Sequence, residues 1–127
     1  MITIQSLDHL VLTVQDIETS CTFYQQVLGI DCVEFIKGRY ALHFGRQKIN
    51  LHQAGNEFKP HAGNPTRGSA DLCFLTDNNI DQIVDHLNSI DVDIEEGPVE
   101  RTGAQGAIMS VYIRDPDGNL LEIATPI

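Results

Sequence analysis

The stretch that decides the fold is residues 7–28, LDHLVLTVQDIETSCTFYQQVL, in which a short apolar run passes directly into a helical pattern. Apolar side chains dominate residues 7–14, as expected of a strand. Residues 16–28 predict a helix, because Asp16 is a good N-cap and Gly29 is well suited to end the helix. The apolar residues of this helix recur at helical spacing: Ile17, Cys21, Tyr24, Val27 and Leu28.

The same pattern returns in the second half of the chain. Residues 69–76 (SADLCFLT) repeat the strand, and residues 79–90 repeat the helix. After each helix the apolar period falls to two, which predicts strands. They are expected near residues 32–36, 40–44 and 48–53 in the first half, and near 92–95, 108–114 and 119–125 in the second. The order βαβββ thus occurs twice, which is an α+β pattern.

Two irregular segments interrupt this order. Residues 55–68 (GNEFKPHAGNPTRG) form a polar connection, so we expect one domain over residues 1–127, with module 1 over about 5–54 and module 2 over about 69–126. Residues 100–106 (ERTGAQG) predict a Gly-rich loop before a strand. Long irregular segments serve either as lids over functional sites or as plain linkers, and the sequence leaves both alternatives open.

Composition limits the classes of function. The chain has 127 residues, a net charge of −10 and a hydrophobic content of 42%, which is ordinary for a globular protein. An acidic surface repels phosphate groups, so we expect neither nucleic acid nor a membrane as a partner. The first residues lack a secretory signal pattern. The three cysteines, Cys21, Cys32 and Cys73, are predicted to be unpaired, buried thiols of a cytoplasmic protein.

Strand alternation places a polar set on one face of the predicted sheets. If the apolar residues of the first and last strand of each copy face the helices, the opposite face carries His9, His52, Asp71 and Glu122. Asp71 repeats the position of His9, and Glu122 repeats that of His52 if the second copy has one extra turn residue. Imidazole and carboxylate ligands suit a divalent metal. A single His or Glu on a strand is more often solvated, so the hypothesis depends on all four positions together.

Three segments resemble the signatures of the vicinal oxygen chelate superfamily: LDHLVLTVQD at residues 7–16, FYQQVLGI at 23–30 and DPDGNLLEI at 115–123. This superfamily includes glyoxalase I, fosfomycin-resistance proteins, extradiol dioxygenases and bleomycin-binding proteins. Residues 48–76 and 95–123 look most like the glyoxalase-domain-containing protein 5 branch and its bacterial virulence-associated relatives. The resemblance covers about residues 5–126.

The resemblance implies a cupped, mixed β-sheet half-barrel of two βαβββ modules, with helices outside, a divalent metal inside, and usually a homodimer. It implies metal ligands on the first and fourth strands of each module, which are His9, His52, Asp71 and Glu122 here. Glyoxalase I enzymes carry a glutamate where this chain has His52, and histidine is common where this chain has Asp71. These departures distinguish the chain from a typical glyoxalase I.

The leading hypothesis is a divalent-metal-dependent lyase or isomerase of glyoxalase type that acts on a small oxygenated metabolite. The metal would be Ni, Zn, Co, Mn or Fe, and Glu122 or Asp71 would be the catalytic residue that moves a proton. One alternative is an Fe(II) extradiol-type dioxygenase, because two histidines and a carboxylate form that ligand set. The other alternative is a metal-free protein that binds a small molecule, as resistance proteins do.

Three further residues are candidates for the substrate pocket. His43 and Tyr112 are predicted at equivalent positions of the two copies, and Tyr112 offers a hydrogen-bond donor. Arg101 is predicted in the Gly-rich loop, where a cation suits an anionic substrate. For each of the three, an ordinary structural or surface role is the alternative.

Overall fold

A computed structural model describes all 127 residues and divides them into two compact units, Met1–Arg67 and Gly68–Ile127. The first unit contains β1 (His9–Val14), α1 (Ile17–Leu28), β2 (Asp31–Ile36), β3 (Arg39–Phe44) and β4 (Gln47–Gln53). The second contains β5 (Asp71–Leu75), α2 (Ile80–Ser89), β6 (Glu96–Thr102), β7 (Ala107–Arg114) and β8 (Leu120–Pro126). The predicted α+β class and the repeated βαβββ order are confirmed.

The first unit has one mixed sheet in the order β1-β4-β3-β2, in which β1 runs parallel to β4 and the other pairs are antiparallel. Leu10 and Leu12 pair with Ile49 and Leu51, so these apolar residues share one face. The helix α1 covers that face and buries Tyr24 completely. The opposite face carries the polar residues of β4, with the apolar residues Val11, Val33 and Ala41 beside them.

The ends of α1 agree with the sequence prediction. The Asp16 side chain accepts a hydrogen bond from the backbone N–H of Thr19, so Asp16 is the N-cap. Gly29 is the C-cap and has a φ of 64°, a left-handed conformation that glycine adopts without steric cost. These two caps fix the length of the helix and therefore the residues that it presents to the sheet.

The second unit repeats this arrangement with the sheet order β5-β8-β7-β6. The helix α2 begins with a capping box formed by Asn79 and Gln82, and it buries Ile83 and Leu87. It contacts β7 and β8, whose inward residues are fully or almost fully buried: Val111, Ile113, Leu121 and Ile123. Neither helix is long and apolar enough to cross a membrane.

A buried polar network fixes the turn between β7 and β8 to the start of β5. One oxygen of Asp115 accepts from the backbone N–H groups of Asp117 and Asn119, and the other accepts from the Asn119 side-chain amide. The Asn119 side-chain oxygen accepts from the backbone N–H of Ala70. The network sets the register of β5 beside β8 and so places the polar residues of both strands.

The sixth strand differs from the prediction. Residues 92–95 are not a strand, and β6 lies instead at Glu96–Thr102, so the predicted loop at residues 100–106 begins inside it. Glycine and proline are both uncommon inside strands, yet Gly97 and Pro98 lie within β6. This strand is an edge strand with a register shift between Glu96 and Val99. Proline is tolerated at such a place because it cannot donate to a sheet ladder.

The prediction for the cysteines is also wrong. Cys21 of α1 and Cys32 of β2 form a disulfide, with their Cα atoms 5.5 Å apart. The wide spacing in sequence suggested no pairing, but the chain reverses at Gly29 and returns β2 alongside α1. Cys73 is the one free cysteine, and it is exposed on β5 rather than buried.

Candidate functional site

In the first unit, polar residues line the sheet face opposite α1, which we call the polar face of the first sheet. Strand register places His9 of β1 beside Lys48 of β4, and Lys48 beside His43 of β3. His43 in turn pairs with Asp31 of β2. The predicted pocket residue His43 therefore lies in the same row as the predicted metal ligand His9.

The His9 ring is oriented by its neighbour in sequence. Its Nδ1 atom lies 2.9 Å from a carboxylate oxygen of Asp8, which can only accept, so Nδ1 is the donor. In the neutral form of the ring, the other nitrogen, Nε2, is the acceptor, and the residue is exposed. Histidines that bind metals through one nitrogen commonly donate the other to a carboxylate in this way.

His52 occupies a different place on the polar face of the first sheet. It pairs with Thr13, four residues along β1 from His9, which corresponds to about 13 Å along the strands. Its ring packs edge-on against Phe58 of the connecting segment, at 5.5 Å between ring centroids. The Arg39 guanidinium lies over the same Phe58 ring at 4.0 Å. The connection thus covers His52 at this end of the sheet.

The environment of His52 favours its neutral form. The residue is only 8% exposed. Burial is the main cause that lowers the pKa of His52, and the positive charge of Arg39 lowers it further, against an opposing effect of Glu57. The Nδ1 atom of His52 and the Oδ1 atom of Asn50 are buried without a hydrogen-bond partner.

These two unpartnered atoms belong to residues that line one small cavity. Its volume is about 10 Å³, close to that of a single water, and its other walls include Phe35, Arg39 and Phe58. Asn50 and His52 are on the same face of β4 because they are two residues apart. A buried polar atom without a partner is costly, so this cavity is suited to a small polar group.

In the second unit, Glu122 of β8 is the centre of a polar cluster. Its register partners are Cys73 of β5 and Tyr112 of β7. One carboxylate oxygen, Oε2, accepts a short hydrogen bond of 2.6 Å from the buried hydroxyl of Ser110. Glu122 is only partly buried, so its carboxylate is accessible from the sheet face.

The Cys73 thiol belongs to the same cluster. Partial burial is the main cause that raises the pKa of the Cys73 thiol to about 11, and the Glu122 carboxylate contributes through its charge and a hydrogen bond. Cys73 is therefore a neutral hydrogen-bond donor to Glu122. Asp71 stands two residues before Cys73 on the same face of β5, so it is a diagonal neighbour of Glu122 at roughly 7–8 Å.

Two predicted pocket residues of the second unit come together. The Nε of Arg101 donates to the Tyr112 hydroxyl oxygen at 3.0 Å, and a terminal nitrogen of Arg101 pairs with Glu96 at 3.0 Å. Arg101 lies on β6 rather than in the predicted loop. The hydrogen bond to Tyr112 is the main cause that raises the pKa of Arg101. Because the Tyr112 oxygen accepts from Arg101, its own O–H is free to donate to a ligand.

The register corrects the predicted equivalence of the two copies. Asp71 and His9 do correspond, since each begins the first strand of its unit. Glu122, however, pairs with Cys73, two residues after Asp71, whereas the residue paired two positions after His9 is Asn50. Asn50, not His52, is therefore the counterpart of Glu122. For the same reason Ala41, which pairs with Asn50, is the counterpart of Tyr112 in place of His43.

The donor atoms fit a divalent metal in kind. Neither unit by itself gathers three or more His, Cys, Asp or Glu residues into a cluster that holds a metal ion. The first unit offers the free Nε2 of His9, and the second offers carboxylate oxygens of Asp71 and Glu122. Imidazole nitrogen and carboxylate oxygen are ligands that Zn, Ni, Co, Fe and Mn accept.

Sequence reasoning missed several residues that support these groups. Asp8 orients His9, and Ser110 holds Glu122. Ser110 was detectable in the sequence, because it stands two residues before Tyr112 on the same strand face. Phe58 gave no such signal, since a loop residue has no periodicity that would place it against His52.

The chain belongs to the Glyoxalase/Bleomycin resistance protein/Dioxygenase superfamily, whose family model matches residues 6–123. The resemblance to this superfamily that the sequence segments indicate is thereby confirmed.

One similar protein has both a named sequence and a solved structure. The chain is 59% identical over 121 residues to virulence protein STM3117 of Salmonella typhimurium, covering 95% of this chain and 84% of that protein. The crystal structure of that virulence protein matches with a TM-score of 0.97 at 56% identity, over 99% of this chain and 100% of that one.

Two further relatives carry glyoxalase-type or enzyme names. Glyoxalase domain-containing protein RDO1 of Mycosarcoma maydis is 49% identical over 124 residues, which is 98% of this chain and 70% of that protein. Metallothiol transferase FosB of Lysinibacillus sphaericus is 30% identical over 125 residues, which is 97% of this chain and 84% of that protein.

Proposed function

We propose that the protein is a divalent-metal-dependent lyase or isomerase of glyoxalase type that acts on a small oxygenated molecule. The observation that carries this proposal is the orientation of His9. Its Nδ1 contacts the Asp8 carboxylate, and its Nε2 lies on the other side of the ring of an exposed residue. A metal ligand gains a fixed tautomer and orientation from such a carboxylate.

We assign metal-ligand roles to His9 of the first unit and to Asp71 and Glu122 of the second. Asn50 is the counterpart of Glu122 in the first unit, and its buried Oδ1 has no partner in the chain. We therefore assign the fourth polar position to Asn50, as an oxygen donor to the ion or to its bound substrate. His52 lies further along the strands, beside Phe58 and Arg39, and we assign it to the substrate.

The chain's own residues supply the proton chemistry. Glu122 is the proposed base, because Ser110 holds one of its oxygens and the carboxylate is only partly buried. Tyr112 donates a hydrogen bond from its hydroxyl group to a substrate oxygen, because the Tyr112 oxygen already accepts a hydrogen bond from Arg101. When bound, a divalent ion supplies positive charge that stabilises negative charge on a substrate oxygen.

The first test is the metal content of untagged protein, measured by plasma mass spectrometry after purification and reloading with Ni, Zn, Co or Mn. We expect near-stoichiometric metal in the unaltered chain and a loss of at least tenfold in affinity in His9→Ala and Glu122→Gln. His86→Ala is the matched control, because His86 is exposed on α2. Unchanged metal content in both site variants would contradict the proposal.

The reaction type is tested with the metal-loaded protein. Isomerisation of hemithioacetals formed from methylglyoxal and a thiol should be lost in Glu122→Gln and retained in His86→Ala. Iron as the only metal retained, together with oxygen uptake in the presence of a catechol, would instead favour the dioxygenase alternative. Tight binding of a cationic drug by protein that takes up no metal would favour the binding-protein alternative.

Thiol transfer is a second candidate, favoured by the relative named metallothiol transferase FosB, which aligns over 97% of this chain. In that case the same residues would hold the ion, and the substrate would be an electrophile such as an epoxide with a small thiol. Formation of a thioether in the presence of metal, without hemithioacetal isomerisation, would select this candidate.

A small-molecule substrate, a homodimer and a cytoplasmic location complete the proposal. The edge strands β1, β2, β5 and β6 each leave one row of backbone groups unpaired within their own sheet, and such edges are usually covered by another segment or chain. Light scattering coupled to size exclusion should report twice the 14.1 kDa mass of one chain.

A further inference from the structure

A groove of roughly 470 Å³ opens on the first unit, between α1 and the strands β2 and β3. Its walls include Glu18, Cys21 and Gln25 of α1, Cys32 of β2 and Tyr40 of β3. The Cys21–Cys32 disulfide is therefore part of the wall of a cleft that is large enough for a small molecule. Apart from Tyr40, which also lines the small cavity beside Asn50 and His52, none of these residues belongs to the proposed metal or substrate site.

The disulfide is accessible from this groove. Both cysteines are only half-buried, whereas the neighbouring helix residues Tyr24 and Val27 are in the core. Accessible disulfides are the ones that a thiol reaches, since exchange requires direct attack on a sulfur atom. The groove is the route by which solvent reaches the Cys21–Cys32 bond.

The disulfide is not the only constraint on α1. The segment that it spans is also fixed by the burial of Tyr24 and by the Gly29 cap, whose N–H bonds back to the helix. The disulfide has a sequence separation of 11 residues, and loop-closure stabilisation grows with loop length, so a longer loop would gain more. In the cytoplasmic location that is part of the proposed function, on which this step rests, disulfides are usually transient, catalytic or redox-sensing.

The groove is acidic. Glu18 lies in its wall one helical turn before Cys21. Glu34 interacts with the Tyr40 hydroxyl through a hydrogen bond and through its charge. No Lys or Arg is in the wall, and the whole chain has a net charge of −10. A small cation is therefore attracted to the disulfide, and a small anion is repelled.

We propose that Cys21–Cys32 is a redox-active disulfide that exchanges with a small thiol carrying a positive charge, bound in this groove. The thiolate of the small molecule attacks one cysteine sulfur, forming a new S–S bond while the Cys21–Cys32 bond breaks. The bond electrons leave on the other cysteine, which takes up a proton. A second molecule of the same thiol then attacks the mixed disulfide, so two thiols become one small disulfide and the protein becomes a dithiol.

The test compares three thiols of different charge on the folded full chain: cysteamine, 2-mercaptoethanol and mercaptoacetate. Reduction is followed by alkylation of new thiols and peptide mass mapping. Each rate is divided by the rate of the same thiol with the urea-unfolded protein, which removes intrinsic reactivity. We expect the normalised rate of cysteamine to exceed that of mercaptoacetate by about fivefold or more, and the ratio to fall in high salt.

Two variants sharpen this test. Glu18→Gln should lower the ratio of cysteamine to mercaptoacetate, while Glu100→Gln, an exposed carboxylate on β6, should leave it unchanged. Cys32→Ala leaves Cys21 as a groove thiol, which should form a mixed disulfide with cystamine faster than Cys73 does in the same chain. Free Cys21 and Cys32 thiols in protein purified under air would overturn the proposal. So would a folded-state disulfide that resists all three thiols, or equal normalised rates.

Discussion

The buried contact between Asn119 and its two partners makes the strongest prediction about stability. Replacing Asn119 with alanine removes two side-chain hydrogen bonds, one from the Ala70 backbone N–H and one to the Asp115 carboxylate, both at 2.8 Å. Asn119 is 1% exposed and Asp115 is 5% exposed, so water does not readily replace the lost partner. The substitution therefore leaves the nearly buried Asp115 carboxylate with one hydrogen-bond donor fewer.

The expected magnitude follows from these two bonds. A neutral hydrogen bond contributes about 1 kcal/mol, and one to a charged group contributes about 1.5–3 kcal/mol. We expect Asn119→Ala to lower the free energy of unfolding by about 3 kcal/mol, which corresponds to a fall in Tm of about 10 °C for a chain of this size. This is a large fraction of the roughly 5–15 kcal/mol that stabilises a typical domain.

The assay is urea unfolding monitored by circular dichroism, with Asn64→Ala as the matched control because Asn64 is exposed in the connecting segment. The double variant with Asp115→Ala should be less destabilised than the sum of the two single variants, since the two residues share a bond. A loss no larger than that of the control would refute the reasoning, and so would additive losses.

Three other predictions follow from the structure. Ser110→Ala removes the hydrogen bond that holds Glu122, and we expect a 10–100-fold loss of metal affinity in isothermal titration with an unchanged far-ultraviolet spectrum. The pKa of His52 is lowered in the folded chain, so as pH falls the unfolded chain takes up a proton on His52 at a higher pH than the folded chain does. The free energy of unfolding of metal-free protein should therefore fall as pH drops below about 6.5, and it should fall less steeply in His52→Gln. Gly68→Ala should cost about 2–4 kcal/mol in urea unfolding, because the residue has a φ of 76° and a Cβ there would meet a backbone oxygen of the β7–β8 turn at 2.5 Å. Gly63→Ala, with open space around it, should cost little.

Most of the fold was predictable because its signals are local. Helix α1 lies between an Asp16 cap and a Gly29 cap, and both are visible in the sequence. Strand alternation gave the correct faces of β1 and β4, because one face of each strand must be buried. The predicted position of the sixth strand was wrong because Gly97 and Pro98 lie within the real strand, and such residues are normally found at a break. The edge position of β6 and its register shift accommodate them.

The candidate site was harder to predict, because it depends on register between strands that are distant in sequence. Alternation correctly placed His9 and His52 on one face of the first sheet. It did not say how far apart they are along that face, and parallel pairing of β1 with β4 sets this distance. A shift of two residues keeps every side chain on its face, so the sequence pattern did not distinguish Asn50 from His52 as the counterpart of Glu122.

The disulfide escaped prediction for a related reason. The packing of α1 against β2 decides whether Cys21 and Cys32 meet. The sequence pattern predicts the helix and the strand, but it does not give the distance between them. Two cysteines can pair only when their Cα atoms lie within about 7 Å, a condition that only the folded chain reveals. Cys73 lacks such a partner and instead donates to Glu122.

The corrected register gives the two units unequal chemistry on the same scaffold. At the corresponding positions the first unit has the His9 imidazole and the Asn50 amide, whereas the second has the carboxylates of Asp71 and Glu122. Among these four residues, the carboxylates therefore belong to the second unit alone. Within that unit only Glu122 is held by a hydroxyl, while Asp71 is exposed. The proposed base, Glu122, is thus held by Ser110, and a fixed position is what proton transfer at a defined substrate atom requires.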